Sequence, residues 1–193
     1  MARPMYLKLD DGVFDDDLNF LRDLFTLLDA RLADLQKRIH ECPDPDGMGL
    51  YDEGEYLAGM GFVACQRYLA STYGPHGLKK DVALASGPDH EGGETFVSII
   101  NAVANYWKHV DEWETIIITA NDHGELNPII VHNPDRLTPI QRKTIQVIES
   151  VTEWSDYTCA NVLYELTAPV LHFAALIPLL EAWRDQMVAA HVG

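Results

Sequence analysis

Residues 14–39 read FDDDLNFLRDLFTLLDARLADLQKRI. Apolar side chains recur at Phe14, Leu18, Leu21, Phe25, Leu28, Leu32, Leu35 and Ile39, in alternating steps of four and three, which is an unbroken heptad stripe. Asp15, Asp16 and Asp17 fall in the first turn, where carboxylates suit the positive end of the helix dipole, and Lys37, Arg38 and His40 fall in the last. The run from Cys42 to Gly47, Cys-Pro-Asp-Pro-Asp-Gly, then stops the helix. A stripe of this length packs inside a helical bundle or forms a coiled-coil-like seam in a dimer. The bundle core is the preferred reading, because a coiled coil also wants sustained charged flanks.

Outward from this helix, a second is expected from Glu53 to Ser71, with Tyr56, Leu57, Met60, Val63, Ala64 and Tyr68 on its inner side. Gly54, Gly59 and Gly61 interrupt it, each at roughly 1 kcal/mol against alanine, which points to close packing against the first helix. Residues 74–93, punctuated by Gly74-Pro75, Gly87-Pro88 and Gly92-Gly93, read as a long loop. A third helix is expected from Glu94 to Glu114. Two β-branched runs around a turn-rich centre follow, and they suggest a small β-hairpin near residues 115–132, with continued helix as the alternative. Thr138-Pro139-Ile140-Gln141 is a capping box opening a fourth helix to about Trp154. Ser155 to Leu166 reads as a short fifth helix, and Thr167-Ala168-Pro169 opens a last one to about Ala190, kinked at Pro178. The expectation is a mainly α protein, a bundle of five to six helices forming one domain over residues 1–193.

Composition narrows the functional classes. The 193 residues carry a formal net charge of −16, from 30 acidic against 14 basic residues. A field of that sign repels DNA and anionic membrane surfaces. The basic pairs Lys37-Arg38, Lys79-Lys80 and Arg142-Lys143 are too scattered in sequence to mark a nucleic-acid patch. Cys42, Cys65 and Cys159 are odd in number and match no metal-ligand spacing, which suits reduced thiols in the cytoplasm. The N-terminal MARPMYLKLDDG lacks the charged start and apolar run of a secretory signal. The most apolar stretch, Val170 to Leu180, is about half the length needed to span a bilayer.

The third helix, around NAVANYWKHVDEW, carries the most suggestive chemistry. At about 100° per residue, Phe96, Ile99, Ile100, Val103, Trp107 and Val110 share one side, while Asn101, Asn105, Lys108, Glu112 and, at the edge, His109 share the other. Two amides, an ammonium, a carboxylate and an imidazole could bind a small polar ligand, orient a phosphate, or act as general acid and base through His109. The plainer alternative is a solvated face on which Lys108 and Glu112 form an i,i+4 pair. Two asparagines one turn apart are unexpected on such a face, since asparagine sits poorly in helix interiors.

A helical bundle with a polar residue and a histidine late in one helix, here Ala104-Asn105-Tyr106-Trp107-Lys108-His109, resembles the HEPN superfamily of small prokaryotic helical domains. Many of its members are toxin or defence ribonucleases. In the catalytic members an arginine, usually followed by a polar residue, precedes a histidine by four to six intervening residues, commonly across a dimer interface. Ala102, Val103 and Ala104 stand where that arginine would be. Arg184-Asp185 with His191 satisfies the same spacing near the C-terminus. The resemblance thus implies a homodimer, and catalysis, if present, through His109 or through Arg184 and His191. RNA would be the substrate, with no cofactor.

The other histidines, His90 between Asp89 and Glu91, His123 beside Asp122, and His132, lack the spacing of a metal site. No nucleophile elbow, P-loop or dinucleotide fingerprint appears. Three readings follow. The first is a non-catalytic interaction or accessory module that forms a homodimer or binds a protein partner, in a prokaryotic stress, toxin–antitoxin or defence setting. The second is a metal-independent HEPN-type ribonuclease. The third is a binder of a small polar ligand at Asn101, Asn105, Lys108 and Glu112.

Overall fold

The computed structural model describes residues 6–9, 12–91, 93–113, 115–120, 126–131 and 137–191. A short antiparallel ladder of β1 (Tyr6–Leu9) and β2 (Gly12–Asp15) leads into α1 (Asp16–Glu41) and α2 (Leu50–Tyr73). A 3-10 turn and the five-residue α3 (Lys80–Leu84) precede α4 (Phe96–Trp113). Strands β3 (Thr115–Ala120) and β4 (Leu126–Val131) pair antiparallel, Thr115 opposite Val131, so the hairpin and not the continued helix follows α4. Then come α5 (Pro139–Glu149), α6 (Thr158–Thr167), a 3-10 turn (Phe173–Leu176) and α7 (Ile177–His191). The architecture is mainly α, with seven α-helices among the described residues where five to six were expected. The extra one, α3, lies inside the stretch expected to be a loop. No helix among the described residues is long and apolar enough to cross a membrane.

The heptad stripe of α1 is a core face. Leu18, Leu21, Phe25, Leu28, Leu32 and Leu35 are buried, and α1 packs on α2 and on the 3-10 turn at Phe173. The central element is α2, which touches α1, α4 and α6. Its inner side is rotated from expectation: Tyr56 and Met60 are exposed, and Ala58, Phe62, Cys65, Tyr68 and Leu69 are buried. The glycines explain the rotation, because they mark where partners approach too closely for a side chain. A methyl group on Gly59 would collide with the Trp107 ring, and one on Gly61 with the Phe173 ring. Of the three, only Gly54 faces α1, against Leu35. Phe173 itself stacks on Phe25 at 5.0 Å and meets Phe62 edge-on at 5.6 Å, so one ring from late in the chain cements α1 to α2.

Helix starts are satisfied locally at some places and remotely at others. The expected capping box at α5 is present in both directions, Thr138 Oγ1 accepting from Gln141 N–H and Gln141 Oε1 from Thr138 N–H. α5 nevertheless ends at Glu149, and Trp154 packs edge-on against Tyr106 of α4. α6 has no side-chain cap of its own; Glu55 of α2 accepts the N–H groups of Cys159 and Ala160, each at 2.9 Å. The 3-10 turn is capped in the same way by Asp29 of α1, which accepts from Phe173 N–H at 2.6 Å and Ala174 N–H at 3.0 Å. The last helix starts at Ile177 and not near Pro169, so Pro178 lies in its first turn, where a missing N–H costs nothing and no kink arises.

Burial pushes the Glu55 carboxyl above its ordinary range, against the two N–H groups that pull it down. A carboxyl raised in the folded state stabilises the fold fully below its unfolded pKa, and the contribution is lost as pH rises through the folded value. Glu55→Gln removes the ionisation and keeps, as the protonated carboxyl does, one acceptor oxygen and one donor toward the two backbone N–H groups. Urea unfolding across the acid-to-neutral range should show the native protein losing stability relative to the variant as pH rises. A native protein that gains on the variant toward neutrality contradicts this account.

Candidate functional site

The polar stripe of α4 does not face open water as a simple solvated surface. Gln66, one turn beyond the buried Phe62 on α2, reaches across to it. Its Nε2 donates to Asn101 Oδ1 at 2.8 Å and to Asn105 Oδ1 at 2.9 Å, while its Oε1 accepts from Lys108 Nζ at 2.6 Å. One amide therefore ties together three of the side chains singled out in the sequence. This explains why two asparagines are tolerated one turn apart: both are half-buried acceptors in an interhelical relay. The Lys108–Glu112 pair of the plainer alternative is not among the ion pairs of the described residues; Glu112 meets His109 Nδ1 at 3.2 Å on the surface.

Two cavities open beside the relay. A groove of about 820 Å3 runs between α3, α4 and α5, with Asn101 and Asn105 on one wall and Lys80, Asp81, Asp89, Glu94 and Lys143 around it. A smaller cavity of about 340 Å3, between α2, α3 and α4, is lined by Gln66, Asn101 and Lys108. Asn101 thus belongs to both, Asn105 to the groove and Lys108 to the cavity, whereas His109 and Glu112 line neither. Gln66 is not singled out by the sequence, and Lys80 is named there only as half of a basic pair. Gln66 carries a signal in retrospect, a polar residue on a helix with buried positions around much of its circumference, but nothing local marks Lys80.

Arg184 lies elsewhere, nearly fully buried. Its Nη1 donates to Asp15 Oδ2 at 2.9 Å and its Nε to Asp185 Oδ1 at 3.0 Å. Asp15 is also the N-cap of α1, accepting Leu18 N–H at 3.0 Å, and it accepts the Tyr68 hydroxyl at 2.8 Å. Burial opposes the guanidinium charge, but the hydrogen bonds to Asp185 and Asp15 outweigh it and hold its pKa above the ordinary value. Burial, then the Asp15 charge, pushes the Tyr68 phenol up. The side chain of His191, like His123 and His132, lies outside the described residues.

A third feature is the outer side of α1. Phe20 and Leu27 are 65% and 66% exposed and Leu24 is 38% exposed, in a row that turns away from the core. Asp17 and Arg31 stand at the two ends of this row, each seven residues from Leu24. In comparisons with protein-family models, curated proteins and solved structures, nothing matches the chain.

Removing one partner from a buried ion pair strands the other charge. Arg184→Met should therefore lower the unfolding free energy by about 3–5 kcal/mol, and adding Asp15→Asn should recover part of that loss. A loss within about 0.5 kcal/mol, the usual range for surface sites, would mean that Arg184 does not carry this structural role.

Proposed function

We propose that the protein is a non-catalytic interaction module, a HEPN-like helical bundle that pairs with a second copy of itself through the outer side of α1. The observation that carries this reading is the exposed row Phe20, Leu24 and Leu27 between Asp17 and Arg31. Contiguous exposed apolar surface with a polar border is what association sites present. The charges at its ends select the occupant. When two such helices cross near-antiparallel about Leu24, each Asp17 meets the partner copy's Arg31, which lies 3.5 Å from Glu53 of its own chain and is 62% exposed, and Phe20 meets Leu27, so the surface is complementary to itself, as a two-fold interface must be. The like charges of a chain at −16 oppose association in general, which makes an apolar row closed by opposite charges the favoured geometry for a copy of the same chain.

The non-catalytic part of the proposal is supported by Arg184, whose guanidinium is held in a buried ion pair and not presented to a cleft. The family resemblance suggests a prokaryotic stress, toxin–antitoxin or defence setting for such a module. In the ribonuclease alternative, His109 would act from its half-exposed place beside Glu112.

Sedimentation equilibrium should give a concentration-dependent dimer. Leu24→Glu with Leu27→Glu should yield a monomer with an unchanged helical circular dichroism spectrum. Asp17→Arg alone should weaken the dimer, and Asp17→Arg with Arg31→Asp should restore it. A wild-type protein that stays monomeric at high concentration, or a dimer indifferent to the Leu24 and Leu27 changes, overturns the reading. Metal-independent RNA cleavage that is lost in His109→Ala would replace it with the ribonuclease.

A further inference from the structure

The cavity of about 340 Å3 between α2, α3 and α4 has an unusual charge for this protein. Three cationic side chains, Arg67, Lys80 and Lys108, line it, and no carboxylate does. The chain as a whole carries more than twice as many acidic as basic residues, 30 against 14. An all-cationic lining is therefore contrary to composition. None of the ion pairs among the described residues involves Arg67, Lys80 or Lys108. The Lys80 ammonium is held below its ordinary pKa, first by burial and then by the nearby charge of Lys108, so like charges face each other across this cavity, while the carboxylates of Asp81, Asp89 and Glu94 line the groove on the other side of Lys80. Such a cluster is unfavourable as it stands, and an anion between the two ammonium groups relieves it.

The rest of the lining describes the body of that anion. Val63, Leu69 and Leu84 supply an apolar floor. The Gln66 relay fixes the polar wall. Because Asn101 Oδ1 accepts from Gln66, the amide nitrogen of Asn101, a residue that lines both this cavity and the groove, remains a donor. The adjoining groove of about 820 Å3 does not share this character, since Asp81, Asp89 and Glu94 stand there opposite Lys80 and Lys143. We infer that the smaller cavity is a binding site for a small organic anion, its carboxylate or phosphate seated between Lys80 and Lys108 and its apolar body on Val63, Leu69 and Leu84.

This site is separate from pairing through α1 except at Arg67, which lines both this cavity and the furrow beside Phe20 and Leu24. Arg67 is therefore left unchanged in the test. Calorimetric titration of the full chain with naphthoate, naphthyl phosphate, naphthylmethanol and naphthylmethylammonium separates charge from shape, and inorganic phosphate tests the head group without the body. Naphthoate or naphthyl phosphate should bind at least about tenfold more tightly than the neutral alcohol; the ammonium compound should not bind, and inorganic phosphate should bind more weakly than its naphthyl ester. The preference should shrink with added salt. Lys80→Gln and Lys108→Gln should each weaken anion binding several-fold, with the helical spectrum and the sedimentation behaviour unchanged. Equal affinity for acid and alcohol, an anion affinity unaltered in the Lys80→Gln, Lys108→Gln double variant, or no binding of either naphthyl anion overturns the inference.

Discussion

Asp15 is the point on which the packing of this protein converges. A buried carboxylate is tolerated only where its charge is matched and its oxygens are hydrogen-bonded, and Asp15 meets both conditions by drawing on three helices. It caps the first turn of α1, accepts the Tyr68 hydroxyl from α2 and neutralises Arg184 from α7. Each partner is in turn a polar group that burial would otherwise penalise. Loss of Asp15 takes a partner from all three at once, so the start of α1, the middle of α2 and the body of α7 are tied to one another through a single side chain. The apolar core around Phe25, Phe62, Phe173 and Trp183 supplies the larger share of the burial, but it is non-directional, and the carboxylate sets the register in which that core closes.

The same device recurs with variation. Glu55 and Asp29 are carboxylates of α2 and α1 that accept backbone N–H groups from α6 and from the turn at Phe173, segments that bring no side-chain cap of their own. Part of the acidic excess is thus architectural, since negative groups sit against the positive ends of neighbouring helices. This leaves the cationic side chains beside α2 as the exception to the chain's charge, and it is there that a relay through Gln66 gathers Lys108, Asn101 and Asn105.

What was legible in the sequence follows from how far each signal reaches along the chain. The stripe of α1, the capping box at Thr138 and the two strands after Thr115 are encoded by residues within a few positions of one another, and each stands as expected apart from its ends. The polar stripe of α4 was legible too, as periodicity. What joins it was not, because Gln66 is 35 residues from Asn101 and no local pattern records a hydrogen bond across that separation. The inner side of α2 was misjudged for a related reason. Hydrophobicity favoured Tyr56 and Met60, whereas the face that packs is the one left bare at Gly59 and Gly61 for rings from other helices. The start of α7 was displaced by Pro169, which reads equally as a helix opening and as the turn it occupies. The spacing of Arg184 to His191 is likewise a one-dimensional match, and it says nothing of the buried aspartate that engages the arginine.

The separation between Asp15 and Arg184 is 169 residues, that between Asp29 and Phe173 is 144, and that between the Trp183 indole and the Ala83 carbonyl it bonds is 100. The first two helices are therefore completed by partners that follow them by 144 and 169 residues in the chain. Until the segment after Phe173 leaves the ribosome, the α1–α2 hairpin has Phe25, Phe62 and the notch at Gly61 uncovered and Asp15 without its counter-ion. Closing loops of that length is slow relative to helix formation, and transiently uncovered rings of this kind are what chaperones recognise. The order of synthesis thus gives this bundle an interval in which these rings and Asp15 are uncovered, ending when Phe173 and Arg184 arrive.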